Sequence, residues 1–354
     1  MPSALLTGGA GFIGCALARR LLGAGWDVAV LDNLHPQVHA GFGRPADLPA
    51  DALFLTGDVT SEDTWRTVTK LVQPDTVVHL AAETGTGQSL AEASRHGMVN
   101  VVGTTRMLDA LYRTAPPAHI VLPSSRAVYG EGQWEDGAGE VFAPDARRHD
   151  DLVAGIWDPR SPSGRSAVPL PSRADRTPPR PSNVYAATKL AQEHVINAWA
   201  AATGTAVSVL RLQNVYGPGQ SLTNSYTGVV ALFARLAAAG RPIEVYEDGV
   251  IVRDFVFIDD VADALAAAVA RPPSGSRTVD VGSGAPTTIA EAAALLARLA
   301  GAPDPVVTGK FRDGDVRAAS CDIARTRDDI GYAPAWGLER GLGTLLEWVR
   351  EQGS

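Results

Sequence analysis

Tyr185 and Lys189 stand four residues apart in the run Tyr185-Ala186-Ala187-Thr188-Lys189. On a helix that spacing stacks the two side chains on one face. A lysine ammonium beside a phenol favours phenolate and lowers a pKa that is ordinarily about 10. The pair could then act as a general base on a sugar or alcohol hydroxyl. Ser125, at the end of the apolar run His119-Ile120-Val121-Leu122-Pro123-Ser124, could hydrogen-bond the same hydroxyl and the carbonyl oxygen it becomes. Each feature also has a plain alternative: a half-buried Tyr beside a solvated Lys, and a turn-forming Ser-Ser pair. What decides between them is the scaffold that would have to position the three residues.

That scaffold begins with a short apolar strand, Ala4-Leu5-Leu6, ending at Thr7-Gly8-Gly9-Ala10-Gly11-Phe12-Ile13-Gly14. Helical periodicity follows at Leu17, Leu21 and Leu22. Glycines at 8, 11 and 14 allow a tight turn and a close approach to a pyrophosphate at the positive end of the helix. A second strand, Trp26 to Leu31, ends at Asp32. An acid about 20 residues beyond the glycines can bond a ribose 2′-hydroxyl and repel a 2′-phosphate. With no arginine following Asp32, NAD is expected rather than NADP.

The alternation continues with Ala52–Val59, which carries Asp58 at its carboxyl end, then Thr76-Val77-Val78-His79 running into Leu80-Ala81-Ala82, and then His119–Leu122. Asp58 could receive an adenine amino group or cap the helix that follows. His79 reads as a packed strand residue. Repeated strands and helices of these lengths predict an α/β fold, a doubly wound parallel (Rossmann) sheet with ligands beyond the strands' carboxyl ends.

The 354 residues can bury a large core, and a net charge of −8 argues against a nucleic-acid partner. No apolar run is long enough to span a bilayer. Two cysteines, Cys15 and Cys321, give neither a disulfide framework nor zinc spacing. No metal is expected. The opening residues show no signal-peptide pattern, and a reduced, cytoplasmic setting is the expectation.

Taken together, Thr7–Gly14, Asp32, Asp58-Val59, His79–Ala82, Ser124-Ser125 with Val128-Tyr129-Gly130, and Tyr185–Lys189 resemble the extended short-chain dehydrogenase/reductase superfamily. Its members include NAD-dependent nucleotide-sugar epimerases and dehydratases. Asn214-Val215-Tyr216-Gly217-Pro218-Gly219, Arg253–Val261 and Phe311-Arg312-Asp313-Gly314-Asp315 match further motifs of that family. The resemblance implies a catalytic set of Ser125, Tyr185 and Lys189. It implies NAD contacts from Gly8, Gly11, Phe12, Ile13, Gly14, Asp32, Asn33, Asp58, Val59, Leu80, Ala81 and Ala82, together with Tyr185 and Lys189. Substrate contacts would come from Thr84, Ser124, Ser125, Arg126 and Asn214, with Arg253 and Arg312 on the diphosphate, where guanidiniums bond phosphate oxygens well.

The family's dehydratases carry Thr-Asp-Glu where this chain has Ser125-Arg126-Ala127. Without those acids, elimination has no acid/base pair, and reversible oxidation at sugar carbon 4 is expected. The stretches His79–Ser89, Asn214–Val229 and Asp32–His39 resemble a bacterial branch that epimerises dTDP-L-rhamnose to dTDP-6-deoxy-L-talose. A 4-epimerase of a UDP-hexose or UDP-glucuronate, a 4-keto-sugar reductase, and a redox-sensing binding protein on the same fold remain rival readings. Family members commonly form homodimers, here through helices at about 93–113 and 184–203.

Residues 1–216 are expected to form the NAD-binding domain, with 252–283 returning to it, and 217–251 with 284–354 a smaller sugar-binding lobe. Tyr129 and Tyr185 lie 56 positions apart, far more than a strand-to-helix connection needs. Prolines throughout 143–182 exclude a long helix there. That segment is either an inert loop or a lid over the sugar pocket, with Trp157 a candidate wall for a 6-deoxy methyl group.

Overall fold

A computed structural model describes residues 1–39, 41, 43–222 and 228–352. Seven parallel strands form the central sheet: β1 (Ser3–Thr7), β2 (Asp27–Asp32), β3 (Leu53–Thr56), β4 (Thr76–His79), β5 (His119–Ser125), β6 (Ala206–Leu212) and β7 (Ser276–Val281). Their spatial order is β7-β6-β5-β4-β1-β2-β3. The order reverses between β1 and β4, and it is outside such a switch point that an open α/β sheet binds its ligands. Helix α1 (Phe12–Gly23) and the Ile258–Ala270 helix cover one face, burying Leu17, Leu21, Val261 and Leu265 against Leu6, Val30 and Val121. The Glu62–Leu71, Thr104–Thr114 and Val184–Thr203 helices cover the other with Trp65, Met107, Leu111 and Ile196. Strands buried on both faces read as near-continuous apolar runs, which is why β1, β4 and β5 stand out in the sequence.

Two strand boundaries differ from expectation. β3 is an edge strand that stops at Thr56, so Asp58 lies beyond it. β5 continues through Pro123 to Ser125. Proline lacks an N–H, but β4 pairs with β5 only as far as Val121, and beyond that point only β6 flanks it.

The second lobe is a small mixed sheet of Asn214–Tyr216, Val252–Phe257 and Pro286–Thr288, with Ala318–Ala319 also pairing to Val252–Phe257. Its core packs Tyr216, Phe233, Phe255, Phe257, Leu296 and Leu345 from these strands and from the Val229–Ala238, Ile289–Ala300 and Leu338–Gln352 helices. Thr288 starts the Ile289–Ala300 helix with a reciprocal capping box to Glu291. The chain leaves the central sheet after β6 and returns to it in β7.

The Pro-rich segment is not one loop. Ala167–Leu170 pairs antiparallel with Gln133–Asp136, which also pairs with Val141–Phe142. One short helix, His149–Val153, precedes Trp157. Among the described residues no helix is long and apolar enough to cross a membrane.

Candidate active site

A cavity of about 670 Å³ opens at the carboxyl ends of β1, β2 and β4. Gly8, Gly11, Phe12, Ile13, Gly14, Asp32, Asn33, Val59, Leu80, Ala81, Ala82 and Thr84 all line it. Gly8 has φ of +66°, and a Cβ there would lie 2.6 Å from the Ala81 nitrogen. The β1–α1 turn and the end of β4 therefore touch backbone to backbone, which only glycine permits. A Cβ on Gly14 would lie 2.4 Å from the Gly9 carbonyl oxygen. Gly11 caps α1 with no side-chain hydrogen bond, and the first turn carries no acid. This is an uncapped, positive helix end facing a glycine-lined cavity, and it suits a pyrophosphate.

Asp32 is buried at the end of β2, accepting from the backbone N–H of Ala10 at 3.0 Å and of Leu34 at 2.9 Å. Each carboxylate oxygen keeps a lone pair for ribose hydroxyls. His39 Nε2 stands 3.6 Å from Asp32 Oδ1, a neighbour that the strand pattern does not reveal. The donor set thus fits a dinucleotide with a free ribose.

Asp58 is turned to local duty. It accepts from Thr60 N at 2.7 Å and from Asn33 Nδ2 at 3.0 Å, while Ser61, not Asp58, caps the following helix. These bonds hold its carboxyl below the usual range against the opposing effect of burial. His79 is fully buried between the hydroxyls of Thr7 and Thr104, at 2.7 and 2.9 Å, and burial pushes its pKa down to about 3. It is a neutral packing residue.

The proposed chemistry sits where β5 meets the Val184–Thr203 helix. Asn183 caps that helix by accepting from Ala186 N, which sets Tyr185 in its first turn. Ser125 Oγ accepts from Ala127 N at 3.2 Å, and its hydroxyl is near enough to Tyr185 to act on the phenol. Burial pushes the Tyr185 phenol up, while the Ser125 bond and the charge of Arg126 pull it down.

Lys189 lies one turn along, but its ammonium donates to the Pro123 carbonyl at 2.9 Å and to Gln192 Oε1 at 2.6 Å. Burial lowers its pKa to about 8, and Glu193 works against that shift. Arg126 also acts on the phenol through its charge, which lowers the Tyr185 pKa. Asn100 ties the cavity wall to this helix, bonding the Glu83 backbone on one side and Thr188 Oγ1 on the other.

The residues expected to touch substrate divide into three groups. Arg126 and Asn214 meet at the site, Nε to Oδ1 at 2.9 Å. Ser124 is buried and donates its hydroxyl to Glu193 Oε1 at 2.5 Å, inside a network in which Glu193 also holds Arg211. Arg253 is buried too, its Nη1 and Nη2 donating to the carbonyls of Val252 and Val316 at 2.7 and 2.8 Å, and burial lowers its pKa to about 9. Arg312 is exposed and lies over the Tyr246 ring, 5.4 Å from its centroid. Residues 223–227 of the Asn214–Val229 stretch lie outside the described set.

No motif or spacing hints at the charge cluster around Arg253. Arg147 pairs with Glu247 at 2.8 Å and with Glu131 at 3.5 Å. Arg317 bonds Asp158 at 2.7 Å, Glu247 at 2.9 Å and both oxygens of Asp248 at 2.7 Å. The Pro-rich segment is pinned here: Asp158 by Arg317, His149 by Asp313 at 3.0 Å, and Trp157 against the Phe311 ring at 6.2 Å.

With this geometry in hand, the chain was compared with known proteins. A family model described as the NAD dependent epimerase/dehydratase family matches residues 4–148 and 161–282. A dTDP-L-rhamnose 4-epimerase of Burkholderia thailandensis is 54% identical over 349 residues, covering 98% of this chain and 95% of that protein. A UDP-glucose 4-epimerase of Mycolicibacterium smegmatis is 30% identical, covering 98% of both. Among solved structures, a UDP-glucose 4-epimerase from Thermotoga maritima with UDP-glucose superimposes with a TM-score of 0.79 at 27% identity, covering 99% of this chain and all of that one.

Proposed function

The chain belongs to the NAD dependent epimerase/dehydratase family, and from that premise we propose that it is a nucleotide-sugar 4-epimerase interconverting dTDP-L-rhamnose and dTDP-6-deoxy-L-talose. The observation that carries the sugar is the 54% identity, sustained over nearly the whole of both chains, to an enzyme named for that reaction. The observation that supports the reaction type is that Ser125 stands beside Tyr185 with Arg126 and Ala127, not acids, following it.

NAD would lie along the glycine-lined cavity, its pyrophosphate at the start of α1 and a ribose on Asp32. It supplies an acceptor for the two electrons and hydrogen leaving carbon 4, and it is regenerated within each turnover. Tyr185 takes the 4-hydroxyl proton while Ser125 holds that oxygen. Arg312, with those Arg253 donors not taken by the Val252 and Val316 carbonyls, keeps the diphosphate in place while the transient 4-keto sugar presents its other face. Tyr185 then returns the proton to O4, and the configuration at that carbon has inverted. Residues 1–213 with 258–283 serve the cofactor; the strands Asn214–Tyr216 and Val252–Phe257, expected in that domain, pair with each other in the second lobe, which with 217–251 and 284–354 serves the nucleotide sugar. Residues 143–182 act as a lid whose hold on the second lobe runs through Arg317 and Asp158.

A homodimer through the helical segments at about 93–113 and 184–203 fits the exposed Met98 and Tyr112 of the first and the exposed alanines at 187, 198, 201 and 202 of the second; a monomer in sedimentation would remove it. Both cysteines are free and buried, in keeping with a reducing cytoplasm.

Replacing Tyr185 by Phe tests the mechanism. It should leave NAD bound and lower C4 inversion by about 10²–10⁴-fold, the usual contribution of a positioned acid/base. Near-wild-type turnover would refute the assignment.

A further inference from the structure

Among the described residues, only two that are not glycine have a positive φ: Leu34 at +54° and Glu247 at +53°. An L-residue adopts this conformation at a cost, keeps it only where its surroundings demand it, and is found so most often at ligand sites. Leu34 serves the cofactor region, its N–H donating to Asp32 Oδ1 at 2.9 Å. Glu247 lies at the other region, in the second lobe.

Glu247 follows the short strand Glu244–Val245, which pairs in parallel with Val306–Val307. It takes the first central position of a turn closed by the Gly249 N–H on the Tyr246 carbonyl at 3.1 Å. With a positive φ, that position ordinarily falls to Gly, Asn or Asp. Here it holds a carboxylate that is 1% exposed and bridges two arginines. Oε1 meets Arg147 Nη1 at 2.8 Å, and Oε2 accepts from Arg317 Nη1 at 2.9 Å. Glycine would fit this backbone without strain; the side chain is what the strain secures.

What Glu247 grips is the 310–315 loop, which carries Arg312. At one end, the Glu247 N–H donates to the Lys310 carbonyl at 2.7 Å. At the other, Arg147 donates from Nη2 to the Asp315 carbonyl at 2.6 Å while the Glu247 carboxylate holds its Nη1. Glu131 also approaches Arg147, but at 3.5 Å, and its other oxygen accepts from the Arg317 N–H at 2.9 Å. Between these ends, the Arg312 guanidinium lies over the ring of Tyr246, the residue before Glu247. Among the described residues Arg312 makes no hydrogen bond or ion pair, so its exposed charge is left for a ligand.

We propose that Glu247 is a positioning residue of the substrate region: it frames the 310–315 loop from both ends and so fixes the Arg312 guanidinium for the diphosphate of the nucleotide sugar. The loop half of this statement stands on the contacts above; the diphosphate half rests on the 4-epimerase reading. A guanidinium gains most from a phosphate when its planar fork is held in place beforehand, because the fold then meets the cost of ordering it. Glu247 itself touches no ligand. It acts through its N–H on Lys310 and through Arg147 on Asp315.

Isothermal titration of the NAD-bearing protein with dTDP tests this for wild type, Glu247→Gln, Arg312→Ala and the double variant. Glu247→Gln should weaken dTDP binding by about 10-fold, the order of one charge-assisted hydrogen bond, with NAD content as in wild type. In the Arg312→Ala background the same substitution should cost nothing further, since the arginine it positions is gone. A general loosening of the lobe would instead add its loss to that of Arg312→Ala. Wild-type affinity in Glu247→Gln, or additive losses, overturns the proposal, as does an Arg312→Ala variant that binds dTDP like wild type. If Glu247→Gln does not fold, Glu247→Gly takes its place under the same outcomes. It keeps the N–H on Lys310, relieves the positive φ and still lacks the carboxylate. If the wild type does not bind dTDP, the nucleotide-sugar reading fails on its own. Trypsin cleavage after Arg312 then decides about the loop: faster cleavage in the Glu247 variant upholds the framing, and an equal rate overturns it.

Discussion

The regions proposed for cofactor and for substrate are built on different principles. At the cofactor end, the working surface is backbone: the turn at Gly8–Gly14, the exposed end of α1, and the close pass of Leu80-Ala81 beneath Gly8. Only Asp32 brings a charged side chain to it as an expected contact. At the substrate end, the surface is side chain on side chain. Arg126, Glu131, Arg147, Asp158, Glu247, Arg253 and Arg317 converge from segments as far apart as 126 and 317. Backbone geometry is written in a few adjacent residues and holds one invariant ligand. Converging side chains can be exchanged one at a time, which suits the part of the site that must choose a sugar.

The largest break in this comparison comes from Gly8→Ala. The positive φ alone costs roughly 1–2 kcal/mol, and the new Cβ would displace Ala81. Purified protein should carry little NAD and melt well below wild type; full NAD content and an unchanged Tm would show that the close pass does not matter.

Next is Arg317→Ala, at the other end. It removes one of the two guanidinium partners of the buried Glu247, leaving Arg147, and releases Asp158 and Asp248. Removing one partner from a buried ion network costs up to about 3–5 kcal/mol. The Tm should fall and KM for the nucleotide sugar should rise as the 143–182 segment loosens, with NAD content intact. Loss of NAD in this variant would mean that the two ends are not separable.

The smallest effect sharpens the comparison through pH. His79 titrates in the unfolded chain near 6.5 and in the folded chain at about 3. Between those values the unfolded state binds more protons, so stability is present above pH 6.5 and lost on acidification below it. His79→Asn should flatten the decline in Tm between pH 7 and pH 5, and an unchanged slope would contradict the assignment.

Sequence legibility follows the same division. Gly8, Gly11, Gly14 and Asp32 could be placed because a strand, a turn and a helix follow one another within about 30 residues. Tyr185 was legible for the same local reason. Lys189 was legible as a position but not as a contact, because its partners are the Pro123 carbonyl and Gln192, set by how the helix lies on β5. Ser124 points its hydroxyl to Glu193, and Arg253 turns to carbonyls of the 316–317 segment, through packing that no spacing encodes. The prolines of 143–182 correctly excluded a long helix, yet gave no sign that Ala167–Leu170 would find Gln133–Asp136. His39 lies only seven positions from Asp32, but an irregular turn, not a periodic element, brings it there.

The central claim is C4 inversion by an enzyme that restores its own cofactor. The most direct measurement is NMR of the purified, NAD-bearing protein incubated with dTDP-L-rhamnose, and in parallel with UDP-glucose and UDP-glucuronate, with no reductant added. The account predicts dTDP-6-deoxy-L-talose accumulating to equilibrium from the first, with little change in the other two. Inversion of a UDP-sugar in preference would contradict the assigned sugar, and the absence of C4 inversion in all three would contradict the reaction itself.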